Sequence, residues 1–450
     1  MTLTEPARQV PLYGEYDVVV LGGGPAGILA AVSAARNGAS VLLVERYGFL
    51  GGMGTAAGVS NFCGLHANVR GAIRQVVHGM TDELLDRMRA LDGLNDPHLI
   101  LGKIHAQAYD IAAFKCAADG MVQDSGAQIL FHALATGLAR DAAGNVDALF
   151  LETKSGRCAV RGKVFIDCSG DADIAQWGGL PFEKGDAQGH MLYPTLMFKV
   201  GNVDGARAQE AWKTIPQLMD QAAASGEFTF PRRGAIVRPQ KHDYEWRVNV
   251  TQLANADGSA ADGTDAASLS AGELEGRRQI TEYLKFLRAK VPGFENAYVL
   301  DIAPQLGIRE TRRIVGEAML TKEDVLGCAD FEDSIGVNGW PLEMHTAGDV
   351  QWLWPPIPES RGYNQLPFRM MVPRRGPGVA ANVLVAGRCA SMTHEGQSAA
   401  RVSGSCFVMG EAAGTAAAMA LRDGHAPADV PVAALQAQLQ RQGAFLGRQE

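Results

Sequence analysis

Paired cysteines are missing from this chain. Its seven cysteines, at 63, 116, 158, 168, 328, 389 and 406, are an odd number with no Cys-x-x-Cys spacing. A disulfide framework, a zinc knuckle and a dithiol redox centre are therefore not expected, and reduced thiols in the cytoplasm are the default. Basic runs are missing too: the net charge is −8, which argues against nucleic acid or an anionic membrane as partner. Met1 to Tyr16 has neither a basic region nor an apolar stretch, so no signal peptide is expected. No segment combines the length and apolarity of a membrane span; the nearest, Cys406 to Leu421, carries Glu411. There is no His-Glu-x-x-His, no Gly-x-Ser-x-Gly and no iron–sulfur ligand spacing, so metalloprotease, serine-hydrolase and cluster chemistry drop out and no metal is expected. No internal repeat appears.

What is present is 450 residues, 47% hydrophobic, with 53 glycines. That length exceeds one ordinary core and predicts two domains. Val18–Leu21 reads as a buried strand, Ala26–Asn37 as a helix and Ser40–Glu45 as the next strand, together one βαβ unit. Arg70–Leu91 and Gln107–Ser125 have helical spacing. From Gln128 to Val160 short alternating strands are broken by Asp141-Ala-Ala-Gly144 and Lys154-Ser-Gly156, an antiparallel layer on a parallel sheet. Lys163–Cys168 is another buried strand. Past residue 186 the character shifts: residues 186–375 hold five of the six tryptophans and a loose stretch, Asn255–Leu269. The chain then returns to a strand, Asn382–Ala386, and a helix, Ala399–Leu421. The predicted organisation is a first domain over 15–185, a substrate domain inserted at 186–375, a return segment at 376–425 and a tail helix at 426–450.

Gly22-x-Gly24-x-x-Gly27 follows a strand and opens a helix, and Glu45 stands at the next strand end. Gly22 permits the turn, Gly24 a close approach to a pyrophosphate, and Gly27 tight helix–strand packing. The helix start, with Pro25 and Ala26, offers free N–H groups to phosphates, and Glu45, followed by Arg46, is placed for the ribose hydroxyls. The loop that follows, with Gly52, Met53 and Thr55, lets backbone amides approach a planar ring. With the C-terminal Val385-Ala-Gly387-Arg388 unit and its helix, this points to FAD rather than NAD. A helix start at Ala400, Arg401 and Val402 would stabilise negative charge on a reduced flavin. Arg388 and Arg401 add to that field, hold pyrophosphate, or form structural ion pairs.

Four segments, Leu50-Gly-Gly-Met-Gly-Thr55, Phe165-Ile-Asp-Cys-Ser-Gly-Asp171, Leu306-Gly-Ile-Arg-Glu-Thr-Arg-Arg313 and Val385-Ala-Gly-Arg388, resemble those of FAD-dependent oxidoreductases distantly related to fumarate reductase and succinate dehydrogenase flavoproteins. The resemblance covers roughly residues 15–425. It implies an α/β fold: a Rossmann-type, glutathione-reductase-like FAD domain with an inserted α+β substrate domain. It also implies that Gly170 and Asp171 lie near the cofactor. The reaction is left open, since substrates in this family are diverse.

Arg309, Arg312 and Arg313 share a face in a helix, and Arg309 and Arg313 do so in a strand, suited to a carboxylate or a flavin edge; the plainer reading is an ion-pair cluster with Glu310 and Glu317. Trp340-Pro-Leu-Glu343-Met-His345 resembles a family segment, aromatic-Pro-x-Asp-x-His, with Glu343 in place of the usual acid. A histidine beside a carboxylate suits proton transfer. His66, His190, His394 and Tyr363 are weaker possibilities, and Cys63 and His66 follow the glycine loop where covalent FAD linkage would be conceivable. The expectation is a dehydrogenase or oxidase: hydride passes from a small anionic substrate to flavin, His345 with Glu343 moves the proton, and Arg309 or Arg312 anchors the anion. With no second strand–glycine–helix unit for NAD(P)H, electrons would leave to oxygen, a quinone or a carrier protein. The alternatives are an NAD(P)H-using reductase or monooxygenase, and a non-catalytic flavin-bearing redox sensor. Oligomeric state is not legible.

Overall fold

A computed structural model describes residues 2–447. Its organising layer is a seven-stranded sheet made of β1 (Leu12–Leu21), β2 (Val41–Val44), β3 (Gln128–Leu130), β4 (Leu134–Arg140), β5 (Val146–Thr153), β6 (Gly156–Asp167) and one late strand. The order runs β3-β2-β1-β6-β5-β4. β1, β2 and β3 are parallel neighbours, and β1 also pairs in parallel with β6, Val18 opposite Val164. Val18, Val19 and Val20 are buried on both faces, as continuous apolar strands of parallel sheets must be. Helix α1 (Pro25–Arg36) crosses between β1 and β2.

The segment expected as a separate strand, Lys163–Cys168, is instead the second half of β6. Its first half pairs antiparallel with β5, and its second half turns to parallel partners on both sides. One twelve-residue strand thus joins the antiparallel layer to the nucleotide sheet.

Two helices were placed too early by their spacing. Residues 70–79 are not helical: His66–Val69 and Ala72–Gln75 form a hairpin through Arg70 and Gly71, both at positive φ (52° and 87°). Two such residues make the mirror-image turn that matches strand twist. The helix itself is Met80–Ala90. Likewise Ile104–Tyr109 is a strand, and the next helix is Ile111–Asp124, where Asp110 accepts from the Ala113 N–H at 2.8 Å and sets the start.

A second apolar cluster draws its buried residues from 196–308. It lies under a four-stranded antiparallel sheet of β7 (Phe198–Gly201), β8 (Ile236–Pro239), β9 (Trp246–Asn249) and β10 (Tyr298–Ile302), in the order β8-β9-β7-β10. Helices α2 (Ala211–Ala224) and α3 (Ala266–Lys290) supply the other side of that cluster. Leu320, Val337, Leu366 and Met370, later in the chain, pack with the nucleotide-domain cluster instead. Among the described residues, the long loop before α3 ends at its cap, Asp265.

The chain returns through β11 (Val383–Val385), parallel to β6. The expected single helix is broken in two, α4 (His394–Ala400) and α5 (Ser403–Asp423), with Arg401 between them and Val402 extended as the cap of α5. α5 is long and apolar enough by composition to cross a membrane, contrary to the expectation from sequence, but 89% of its apolar window is buried within the protein. It packs along α1: Gly410 and Gly414 face the Ala26 and Ala30 carbonyls so closely that any methyl would collide with backbone. The tail helix is Val432–Arg441.

Candidate active site

The apolar run of β1 ends at Gly22, whose φ of 97° and tight fit against the Cys168 carbonyl leave room for no side chain. Gly27 is equally enclosed, its missing side chain directed at the Gly22 carbonyl. Gly24 differs. A methyl there would meet only Gly52 Cα, at 3.7 Å, so packing does not demand glycine. What demands it is the space in front, which is a cavity of about 1200 Å³. That volume exceeds the ~300–1,000 Å³ of ordinary small-ligand sites.

At one end the cavity is walled by Gly22, Gly24, Pro25, Ala26, Glu45, Arg46 and Ala133–Ala135, and it passes Gly52, Met53, Gly170, Gly387 and Arg388. No side chain caps the start of α1, so its N–H groups are left for a ligand. Glu45 is buried, and burial raises its pKa; its two oxygens accept from Gly23 N–H (2.7 Å) and Tyr47 N–H (2.9 Å). These residues fit FAD: a glycine turn, an unsatisfied helix start and an acid held beside them.

Four predicted cofactor residues stand behind the wall. Gly27, Thr55, Asp171 and Ala400 do not line the cavity. Thr55 Oγ1 donates to the Leu50 carbonyl at 2.7 Å, shaping the glycine loop. Asp171 accepts from Arg388 Nη2 at 2.8 Å and Thr311 Oγ1 at 2.8 Å, so Arg388 forms the buried ion pair that was one of its readings. Asp171 acts on the cavity only through Arg388 and Gly170.

At the other end stand Asn61, Cys63, Trp212, Arg238, Arg247, Asn249, Arg309, Trp340, Glu343, His345, Trp352, Arg401, Val402 and Ser403. The Arg309-Glu-Thr-Arg-Arg cluster divides. Arg309 faces the cavity and donates to the Tyr193 carbonyl at 2.9 Å. Arg312 turns away to Asp173 (2.7 Å), and Arg313 pairs with Glu310 in the interior. Arg312 is therefore corrected from an anchor in this site to a structural ion pair. Among the described residues Glu317 pairs with Arg375 instead of the cluster.

His345 is 2% exposed. Its Nε2 lies 3.1 Å from Glu343 Oε1, and Arg232 Nη1, which can only donate, lies 3.4 Å from Nδ1. These contacts put the proton on Nε2. Burial, then the charges of Arg309 and Arg232, hold His345 well below the ordinary histidine pKa. Burial pushes Glu343 up, but the hydrogen bonds from His345 and Trp340 and the charge of Arg401 outweigh it and hold its pKa below the ordinary carboxylate value. Trp340 Nε1 donates to its other oxygen at 2.9 Å. The pair is thus a neutral imidazole on a fixed carboxylate.

His66, His190, His394 and Tyr363 do not line the cavity. His190 is exposed beside Asp186, and His394 is engaged by Glu310 at 2.9 Å. Cys63 does line it, with burial pushing its thiol up to about 12. Sequence reading missed Arg232, Arg238, Arg247 and Asn249. The signal for two of them was there: in Trp246-Arg-Val-Asn249 the apolar residues feed the core while Arg247 and Asn249 share the opposite, cavity-facing side.

The sequence pattern of a family described as "FAD dependent oxidoreductase" matches residues 17–439. A 45-residue stretch is 51% identical to dihydrolipoyl dehydrogenase of Trypanosoma brucei brucei, spanning 10% of this chain and only 9% of that one. Among solved structures, a geranylgeranyl bacteriochlorophyll reductase-like protein of Thermoplasma acidophilum is similar over 96% of this chain and 84% of its own, at 14% identity and a TM-score of 0.44. The p-nitrophenol 4-monooxygenase of Pseudomonas putida is similar over 97% and 90%, at 12% identity and a TM-score of 0.45.

Proposed function

Since this chain belongs to the FAD dependent oxidoreductase family and its cofactor is FAD, we propose that it is a dehydrogenase or oxidase of a small anionic substrate. FAD, when bound, accepts the hydride of such an oxidation. The chain's own residues handle the proton and the position. The observation that carries the reading is the His345–Glu343 pair, sequestered in the inner end of the cavity.

A neutral imidazole is the form that can take a proton. Its receiving atom is Nδ1, where the 3.4 Å approach of Arg232 is loose enough for a substrate hydroxyl or amine to replace. Glu343 holds the Nε2–H and balances the charge that forms on the ring. Arg309 and Arg401, whose pKa values burial lowers, keep the chamber cationic and favour an anionic substrate. Glu45 with the α1 start would hold the ribose and pyrophosphate, and Arg401 with the start of α5 would face the ring end.

The test is anaerobic reduction of the holoenzyme by a panel of carboxylate-bearing alcohols and amines, read at the flavin band. H345N and E343Q should keep FAD yet be reduced about 100-fold more slowly by the substrate found, the lower end of general-base contributions. Unchanged rates in both variants would remove the proton role.

A further inference from the structure

Arg238 on β8 and Arg247 on β9 stand directly opposite each other in the antiparallel register. Their side chains therefore leave the sheet on one face, and both line the cavity. Two like charges in that relation repel, and a fold keeps such a pair only when something offsets the cost. Among the described residues no carboxylate comes within ion-pair distance of either. Arg247 is 4% exposed; its Nη1 donates to the Val59 carbonyl at 2.7 Å, while its Nε is buried without a partner. Arg238 donates only to its neighbouring carbonyl, Val237, at 3.0 Å. Burial, and then the charge of Arg247, bring Arg238 down to about 10. Among the described residues the one carboxylate whose field reaches Arg247 is Glu343, which is already held by His345 and Trp340.

Two further features mark a built site. Asn249, two positions along the same strand face, has a buried Oδ1 with no partner, as does Asn61 elsewhere in the wall; these acceptors suit a hydroxyl or amine donor on the body of a substrate whose carboxylate the arginines take. Trp212 lies 5.9 Å from the Arg238 guanidinium and offers a flat apolar surface.

We infer that Arg238 and Arg247 together form the seat for a substrate carboxylate, with the substrate's planar or apolar body against Trp212. The inference deepens the proposed function and rests on this end of the cavity being the substrate chamber. It replaces Arg312 as anion anchor and gives Arg309 a supporting part. The pair is carried by the inserted sheet, whereas the uncapped start of α1 after the glycine turn is the seat read for the cofactor phosphates.

The test is isothermal calorimetry on the FAD-loaded protein with benzoate and its uncharged isostere benzamide. Benzoate should bind with a Kd of about 1 mM or tighter, and benzamide at least about tenfold more weakly. R238Q and R247Q should each weaken benzoate about 10- to 100-fold, the range of a lost charge-assisted hydrogen bond, and R247K should recover part of it. R238Q gives up no hydrogen bond beyond its own neighbour's carbonyl, so its folding is secure; circular dichroism and the ratio of flavin to protein absorbance check both variants. Three results overturn the seat: no benzoate binding by the wild type, equal binding of benzoate and benzamide, or wild-type benzoate affinity in both glutamine variants. Loss of FAD from the variants would assign the arginines to the cofactor and overturn it equally. FAD-loaded protein whose flavin no carboxylate-bearing alcohol or amine reduces would defeat the dehydrogenase or oxidase reading, whereas the calorimetry, which needs no turnover, would still report on the arginines.

Discussion

Substituting alanine for Gly410 tests how the C-terminal helix closes the cofactor domain. The added methyl would press on the Ala26 carbonyl, with its oxygen at 2.1 Å and its carbon and the Ala26 Cα both at 2.8 Å. A carbon rests no closer than about 3.3 Å to a carbonyl oxygen, so α5 must retreat from α1 by roughly 1.2 Å. All three obstructing atoms are backbone and cannot rotate away, so the overpacking cost is set at about 3 kcal/mol, the upper end of the usual range. Alanine's better helix propensity returns about 1 kcal/mol, leaving a net loss of about 2 kcal/mol. For a chain of 450 residues that is a fall in Tm of about 2 °C. Ala26 also lines the cavity, so the retreat should lower FAD affinity. The control is Gly120→Ala on the Ile111–Asp124 helix, where the nearest atom to a new methyl is Arg87 Nη1 at 3.6 Å, and propensity alone should raise Tm slightly. Differential scanning calorimetry and the flavin-to-protein absorbance ratio read both variants. If G410A melts as high as G120A and holds FAD as well as wild type, the close approach of α1 and α5 is wrong.

The remaining predictions concern charge. The neutral form of His345 is the one that accepts a proton, so the rate of flavin reduction should fall only as pH drops through a value well below 6.5. Arg232→Met removes a cation that depresses this pKa, so the fall should begin at higher pH; a profile that stays put or moves down would contradict the pairing. Arg388→Met leaves buried Asp171 without its cation, which should cost about 3 kcal/mol in chemical denaturation and loosen FAD; wild-type stability would refute the ion pair's importance. Burial, then like-charged neighbours, bring His66 and His98 to about 4 in the fold. Unfolded, they bind protons from about 6.5 downward, so stability is full above that pH and declines as pH falls toward 4. The doubly substituted H66Q/H98Q protein should lose less over that window, measured as Tm against pH.

The nucleotide half of the site was legible because its physics is local: one strand, one turn and one helix start in consecutive residues, with Glu45 at the next strand end. The end of the cavity around Arg309, Glu343 and His345 was legible only in part. Glu343 and His345 lie on one strand and could be read together. Arg232 meets His345 from more than a hundred residues earlier, and Arg238 and Arg247 become neighbours only through strand pairing. The hairpin at 66–75 was mistaken for helix because its apolar positions also satisfy helical spacing; the positive-φ turn at Arg70–Gly71 decides it, and arginine gives no hint of that. The break at Arg401 was hidden for a related reason. Small residues run through 399–405 without a proline, while Arg401 donates to the Glu343 carbonyl at 3.1 Å and Gly404 N–H to Cys63 at 2.9 Å, contacts made by distant chain.

The most direct measurement is the anaerobic absorption spectrum of the FAD-loaded protein before and after NADH or NADPH. The account predicts a flavin band that persists with either nucleotide and bleaches with a carboxylate-bearing substrate. Absence of a flavin band after reconstitution, or rapid bleaching by NADH or NADPH, would contradict it.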